Sequence, residues 1–366
     1  MLNAGIVGLP NVGKSSLFNA LTAVGAPSEN YPFCTVEPNV GTVEVPDARL
    51  DRIHAITGSR ARVPTIMRFV DIAGLVKGAS EGEGLGNQFL GNIREVDAVV
   101  HVLRCFHDPD VAHVLGEVDP VRDREVVNTE LALADLDSVE RRMTRLEKRV
   151  KSGERDAGRE MELLKGVHAQ LAQGGLVDSA AFAKEDLPLL RSFQLLRAKP
   201  VLYVTNVAEG DLPSGENQWT QVVREVVAAE EPHAQVLAVC SSIEAELSEL
   251  DEDARKEFLS DLGLEEPGLH RLIRSTYELL GLRTFFTSGE KESRAWTVPL
   301  GATAPQAAGV IHSDFERGFI RAETVGYHDF MAAGSWKTAR EKGLVRSEGK
   351  EYSVEDGDIL LFRFNV

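Results

Sequence analysis

Eight consecutive residues, Gly8-Leu9-Pro10-Asn11-Val12-Gly13-Lys14-Ser15, constrain this chain more than anything else in it. An apolar strand-like run, Ala4 to Val7, precedes them, and a helix-like run, Leu17 to Leu21, follows. A strand, a glycine-rich turn and a helix N-terminus in that order make a phosphate-binding P-loop. Successive backbone N–H groups of such a turn form a concave anion site, and the helix dipole adds favourable potential. Lys14 is expected to reach the β- and γ-phosphates, and the Ser15 hydroxyl to bind Mg²⁺. The motif predicts an α/β domain that binds a nucleoside triphosphate.

A length of 366 residues predicts two or three domains. The net charge of −17 argues against indiscriminate nucleic-acid binding, but the acidity is uneven. Residues 199–283 alone carry 7 basic and 17 acidic side chains, which leaves other surfaces free to meet an anionic partner. No apolar run reaches membrane-span length, and a strand starting at once leaves no room for a secretory leader. Cys34, Cys105 and Cys240 are too few and too scattered for a disulfide framework. Together these features predict a cytoplasmic protein, and with no large apolar stripe, a monomer.

Strand-like runs recur at Ala4–Val7, Ile66–Val70 and Ala98–Leu103, then, after a long interval, at Pro200–Thr205 and Gln235–Val239. That interval is too long for a loop. Leu136, Val139, Met143, Leu146 and Val150 are spaced 3, 4, 3 and 4, a coiled-coil seam. Met161, Leu164, His168 and Leu171 repeat the spacing after a Ser152-Gly153 break, so two antiparallel helices are expected, with His168 at the seam edge. The stretch from Arg141 to Lys151 has six basic residues and one acid. It reads as a solvated helix face, or as a phosphate-contacting tip for RNA. From residue 284 short strand-like runs (Arg294–Val298, Phe319–Glu323, Ile359–Phe364) suggest a small α+β domain. The division is therefore 1–127 with 199–283 for the nucleotide domain, 128–198 for an inserted helical hairpin, and 284–366 for the tail.

Further motifs complete the nucleotide site. Asp71-Ile72-Ala73-Gly74 follows a strand-like run, where an Asp contacts Mg²⁺ directly or through a second shell and Gly74 offers its N–H to the γ-phosphate. Thr35, within Pro32–Pro38, lies where a first switch loop belongs, with its hydroxyl for Mg²⁺ and its N–H for the γ-phosphate. The glycine-rich run from Gly74 to Gly91 suits a second switch. Asn206-Val207-Ala208-Glu209 stands where guanine readers carry Asn-Lys-x-Asp. Val207 removes the stem over the base and Glu209 displaces the carboxylate by a methylene, a departure that favours ATP over GTP. Ser241-Ser242-Ile243 fits the last base-contacting loop. Leu75 occupies the place of a water-orienting glutamine, so slow intrinsic hydrolysis is expected unless another group, such as His101, His107 or His113, or a partner supplies that function.

Taken together, Gly8–Ser15, Asn30–Asn39, Phe69–Ala79 and Asn128–Leu136 resemble signatures of the YchF (Obg-like ATPase) family within the P-loop GTPase class, and the resemblance covers essentially the whole chain. It implies an OBG-type nucleotide domain, an inserted coiled-coil hairpin and a C-terminal TGS domain of β-grasp fold. It implies an ATPase associated with ribosomes and translation, with the hairpin or the TGS domain as the route to rRNA. It places phosphate contacts on Asn11, Val12, Gly13, Lys14, Ser15 and Ser16, Mg²⁺ on Ser15 and Thr35, and adenine at the Asn206-Val207 turn. It also places His113 where hydrolysis is assisted, and Cys34, beside Thr35, where a redox sensor would sit. Two other readings stay open: a GTP-specific switch, and an RNA-binding scaffold whose hydrolysis is incidental.

Overall fold

The run Asn3–Val7 (β1) is apolar on both faces, with Ala4, Ile6 and Val7 fully buried, so it can only be a central strand covered on both sides. The computed structural model describes residues 2–23, 39–72 and 85–365. Downstream of β1 come α1 (Lys14–Ala23), β2 (Val40–Glu44), α2 (Ala48–Thr57), β3 (Ala61–Val63), β4 (Ile66–Asp71), α3 (Leu85–Glu95) and β5 (Ala98–Cys105). A helical excursion follows, α4 (Pro120–Lys151), α5 (Arg155–Ala172) and the short α6 (Leu187–Ser192). The chain then returns through β6 (Val201–Val207), α7 (Gln218–Glu230), β7 (Gln235–Val239), α8 (Ser241–Glu249), α9 (Glu252–Asp261) and α10 (Gly268–Leu279). Its last part holds β8 (Leu282–Ser288), β9 (Glu292–Pro299), α11 (Ala304–Ile311), α12 (Ser313–Arg317), β10 (Phe319–Gly326), α13 (Tyr327–Ala333), α14 (Trp336–Glu341), β11 (Arg346–Glu348) and β12 (Asp358–Phe364).

Two compact units result, Met1–Thr42 with Arg68–Leu272, and Val43–Met67 with Ile273–Val366. In the first, the sheet order is β2-β4-β1-β5-β6-β7. β1 runs parallel to both β4 and β5, and β6 is parallel to β5 and β7. Strand order reverses beside β1, and in such sheets ligands bind at the carboxyl ends of the strands flanking that point.

The helical excursion matches the predicted hairpin. Val139 and Leu146 of α4 pack with Ala157, Met161, Leu164, Val167 and Leu171 of α5, and Leu136, Met143 and Val150 border the same core. His168 lies at the edge, its Nε2 3.0 Å from Glu140. α4 starts eight residues before the expected boundary at 128, capped by Asp119 and opened by Pro120, so one continuous helix leads from the nucleotide unit into the hairpin. Buried Asp135 fastens the returning chain by accepting from the Leu196 and Arg197 N–H groups at 3.0 and 2.8 Å. Asn128 accepts from Arg197 at 2.8 Å. Arg197 and Arg124 share the buried Glu231 carboxylate, which also accepts from the Tyr203 hydroxyl. These bonds give the 128–136 signature a structural purpose.

The second unit has the strand order β11-β10-β12-β8-β9-β3. β8 and β9 form a hairpin, and the last strand, β12, lies parallel beside β8 in the middle of the sheet. That is the β-grasp arrangement. Its edge differs from the sequence division: β3, placed by sequence in the nucleotide domain, pairs parallel with β9 (Ala61 opposite Glu292). Leu50 and Ile53 of α2 are buried with Phe286, Val325 and Phe330. The segment Val43–Met67 thus covers an edge and a face of the tail that would otherwise be bare.

Candidate nucleotide site

Four strand ends of the first unit build one cleft of about 550 Å³. The loop after β1 supplies Asn11, Gly13, Lys14, Ser15 and Ser16; the loop after β5 supplies Phe106, His107, Asp108, Pro109 and Val111. The end of β6 supplies Asn206, Val207, Ala208 and Glu209, and the start of α8 supplies Ser241 and Ser242. Gly13 has φ +99, and a Cβ there would lie 2.2 Å from the Asn206 Nδ2 and 2.9 Å from the Ser241 Oγ. Only glycine lets the P-loop and the base turn approach this closely. Asn206 Nδ2 donates to the Val12 carbonyl at 2.9 Å, and its Oδ1 accepts from the Ser241 N–H at 2.9 Å. This buried amide therefore ties three loops together and keeps one N–H and one lone pair in reserve.

Lys14 is buried, and its Nζ donates to the Leu9 carbonyl at 2.7 Å. Burial draws its pKa down from 10.5 to about 8, against the pull of Asp71. Burial likewise raises Asp71, with Lys14 opposing. Asp71 Oδ1 is buried with no hydrogen-bond partner among the described residues, and the exposed Ser15 lines the cleft. An orphaned carboxylate oxygen near a hydroxyl-bearing P-loop is a donor set that suits Mg²⁺.

The other expected residues are placed as follows. Val12 is buried and contributes its carbonyl, while Ile243, at 1% exposed, packs in the core and does not line the cleft. His107 lines the cleft. His101 is buried in β5 against the Tyr203 ring, and burial together with Arg124, Arg197 and Lys14 lowers its pKa to about 3, so it stays neutral. His113 does not line the cleft: its Nε2 is 2.7 Å from Asp123, and its Nδ1 accepts from the Leu115 N–H at 3.1 Å. Cys34, Thr35, Gly74 and Leu75 lie outside the described residues. Of the six basic residues in 141–151, Arg141, Arg142, Arg149 and Lys151 pair with Asp137, Glu160, Glu154 and Glu147. That pairing favours the solvated-face reading, with Arg145 and Lys148 the two that form no ion pair among the described residues.

Of the wall from Phe106 to Val111, sequence reasoning singled out His107 alone, as a possible water-orienting group. No glycine motif marks the wall, but it follows a fully buried strand, β5, next to the P-loop strand, and that position is the available signal.

The fold and the P-loop cleft define a P-loop nucleotide hydrolase of the GTPase class. Residues 3–139 match the family model described as 50S ribosome-binding GTPase. Residues 282–365 match the YchF GTPase C-terminal model, described as a protein of unknown function. Curated relatives named ribosome-binding ATPase YchF are 54% identical over 362 residues in Haemophilus influenzae Rd, covering 99% of both chains, and 53% identical over 367 residues in Bacillus subtilis 168, covering all of both. The solved structure of the Schizosaccharomyces pombe YchF GTPase superposes with a TM-score of 0.88 at 35% identity, covering 99% of this chain and 97% of that one. The chain belongs to the YchF family.

Proposed function

We propose that this chain is a Mg²⁺-dependent ATPase switch that binds the ribosome and acts in translation, in the cytoplasm. The observation that carries the choice of ATP is the base turn. Asn206 locks the turn to the P-loop and keeps one N–H and one lone pair for the base, while Val207 and Glu209 stand in the cleft wall in place of the residues that read guanine. Relatives that match over the whole chain bear the name ribosome-binding ATPase, which agrees with this reading.

Ser15, Thr35 and Asp71 would hold the metal, which when bound neutralises charge on the β- and γ-phosphate oxygens. Lys14 Nζ leaves the Leu9 carbonyl and turns to the phosphates, and the backbone N–H groups of Asn11 to Ser16 and of Gly74 surround them. Leu75 cannot orient the attacking water, so intrinsic turnover is slow. His113 takes that role only if it releases Asp123, a rearrangement of the 111–116 loop. Contacts from the triphosphate to Thr35 and Gly74, both outside the described residues, would change the surface offered to the ribosome; the Leu85–Gly91 part of the glycine-rich run already belongs to α3.

Co-sedimentation with ribosomes in ATP, ADP and no nucleotide tests the proposal. Binding that depends on nucleotide state, together with ribosome-stimulated ATP hydrolysis, is the expected result. Ribosome binding that ignores nucleotide, with no stimulated hydrolysis, would favour the scaffold reading.

A further inference from the structure

The Arg104 side chain, near the end of β5, is 1% exposed, yet it forms no ion pair with a carboxylate among the described residues. A buried cation without an anion is costly unless dipoles converge on it. Here they do: Nε donates to the Phe106 carbonyl at 3.2 Å, Nη1 to Val111 at 2.9 Å and Nη2 to Asp108 at 3.2 Å. The guanidinium also lies 4.6 Å from the centroid of the Phe106 ring. Every one of these contacts goes to the irregular loop that supplies five cleft-lining residues. The same loop is tied at its flanks, where Asn11 Nδ2 donates to the Ala112 carbonyl and Asn217 Nδ2 to the Cys105 carbonyl.

We infer that Arg104 is a positioning residue for nucleotide binding: its guanidinium fork, bonded to three main-chain carbonyls, holds the Phe106–Val111 wall preformed before the nucleotide arrives. A loop without sheet or helix bonds has little stiffness of its own, and ordering it on binding would cost affinity. Arg104 moves that ordering into the folding of the chain. A lysine keeps the charge but cannot span three divergent carbonyls. This inference rests on the ATPase reading above.

The test uses full-length Arg104→Lys, with calorimetric affinity for Mg·ATP, steady-state KM and kcat, and the melting temperature of the nucleotide-free chain. The expected result is a Kd and a KM raised about tenfold or more, with kcat changed less than about twofold. Phe106→Ala should cost less in the Arg104→Lys background than in wild type, because both act on one wall. A folded variant with wild-type Kd and KM, or one that loses kcat at constant KM, overturns the inference. A second measurement on wild type alone guards against misfolding. Amide hydrogen exchange over residues 106–113 should be slow without nucleotide and little changed by ATP, whereas fast exchange that ATP abolishes overturns a preformed wall. Wild type without measurable ATP affinity would overturn both this inference and the ATPase reading; wild-type affinity with an unmoved variant overturns this one alone.

Discussion

Lys14 makes a sharp prediction about protons. The residue is 7% exposed, and burial lowers its pKa from 10.5 to about 8. The folded pKa lies below the unfolded value, so between pH 8 and 10.5 the unfolded chain binds more protons and stability rises with pH. Below pH 8 the whole penalty of a buried charge, roughly 3 kcal/mol, is present. A triphosphate on the P-loop reverses this by giving the ammonium its counter-charge. Binding should then take up about 0.1 proton at pH 7, about 0.5 at pH 8 and about 0.9 at pH 9, from the fraction of Lys14 that is neutral beforehand. The last phosphate proton has a pKa of about 6, so the ligand itself contributes little at pH 8 and above. The assay is titration calorimetry at constant Mg²⁺ in two buffers of unlike ionisation enthalpy. The slope of observed enthalpy against buffer ionisation enthalpy counts the protons. Equal enthalpies in both buffers at pH 8 and pH 9 would refute the assignment of a depressed Lys14 that the triphosphate recharges.

Gly13→Ala should weaken ATP binding about thirtyfold or more in calorimetry, since it combines positive-φ strain of about 1–3 kcal/mol with disruption of the buried Asn206 amide, worth about 1–3 kcal/mol. His101 is held neutral with a pKa near 3, so stability should fall as pH drops below 6.5, with this residue contributing about 1.4 kcal/mol per pH unit. In urea melts from pH 7 to 4.5, His101→Gln should flatten that slope. Leu164→Ala, fully buried in the hairpin seam, should cost about 2–5 kcal/mol in chemical denaturation of that region. Arg145→Glu with Lys148→Glu should weaken ribosome co-sedimentation and flatten its salt dependence if the hairpin meets RNA phosphates. Arg142 is left alone in that test because it pairs with Glu160 and stacks on Phe193, so reversing it would break the hairpin.

Features encoded by neighbouring residues are legible in the sequence itself. The P-loop can be read because its glycines, its lysine and its flanking strand and helix all lie within a single short segment. The hairpin can be read because Leu136, Val139, Met143, Leu146 and Val150 carry their packing in their spacing. In the second seam the spacing selects His168, whereas its neighbour Val167 is the buried one beside Met161, Leu164 and Leu171, since a 3.6-residue helix lets neighbouring positions trade places at a seam edge. The assignment of Val43–Met67 to the tail is illegible. It depends on Ala61–Val63, three residues without period, meeting Glu292–Arg294 more than two hundred residues away. Arg104 sits unmarked in an apolar strand run, and only its three carbonyl partners reveal that it shapes the cleft.

The central claim is that this P-loop cleft is built for ATP. Its most direct test is the calorimetric affinity of the nucleotide-free chain for ATP and for GTP, each with Mg²⁺. Clearly tighter ATP binding is the predicted result and would make the Asn206–Glu209 turn the source of the selectivity. Tighter GTP binding would contradict it and return the chain to the ordinary GTPase switches.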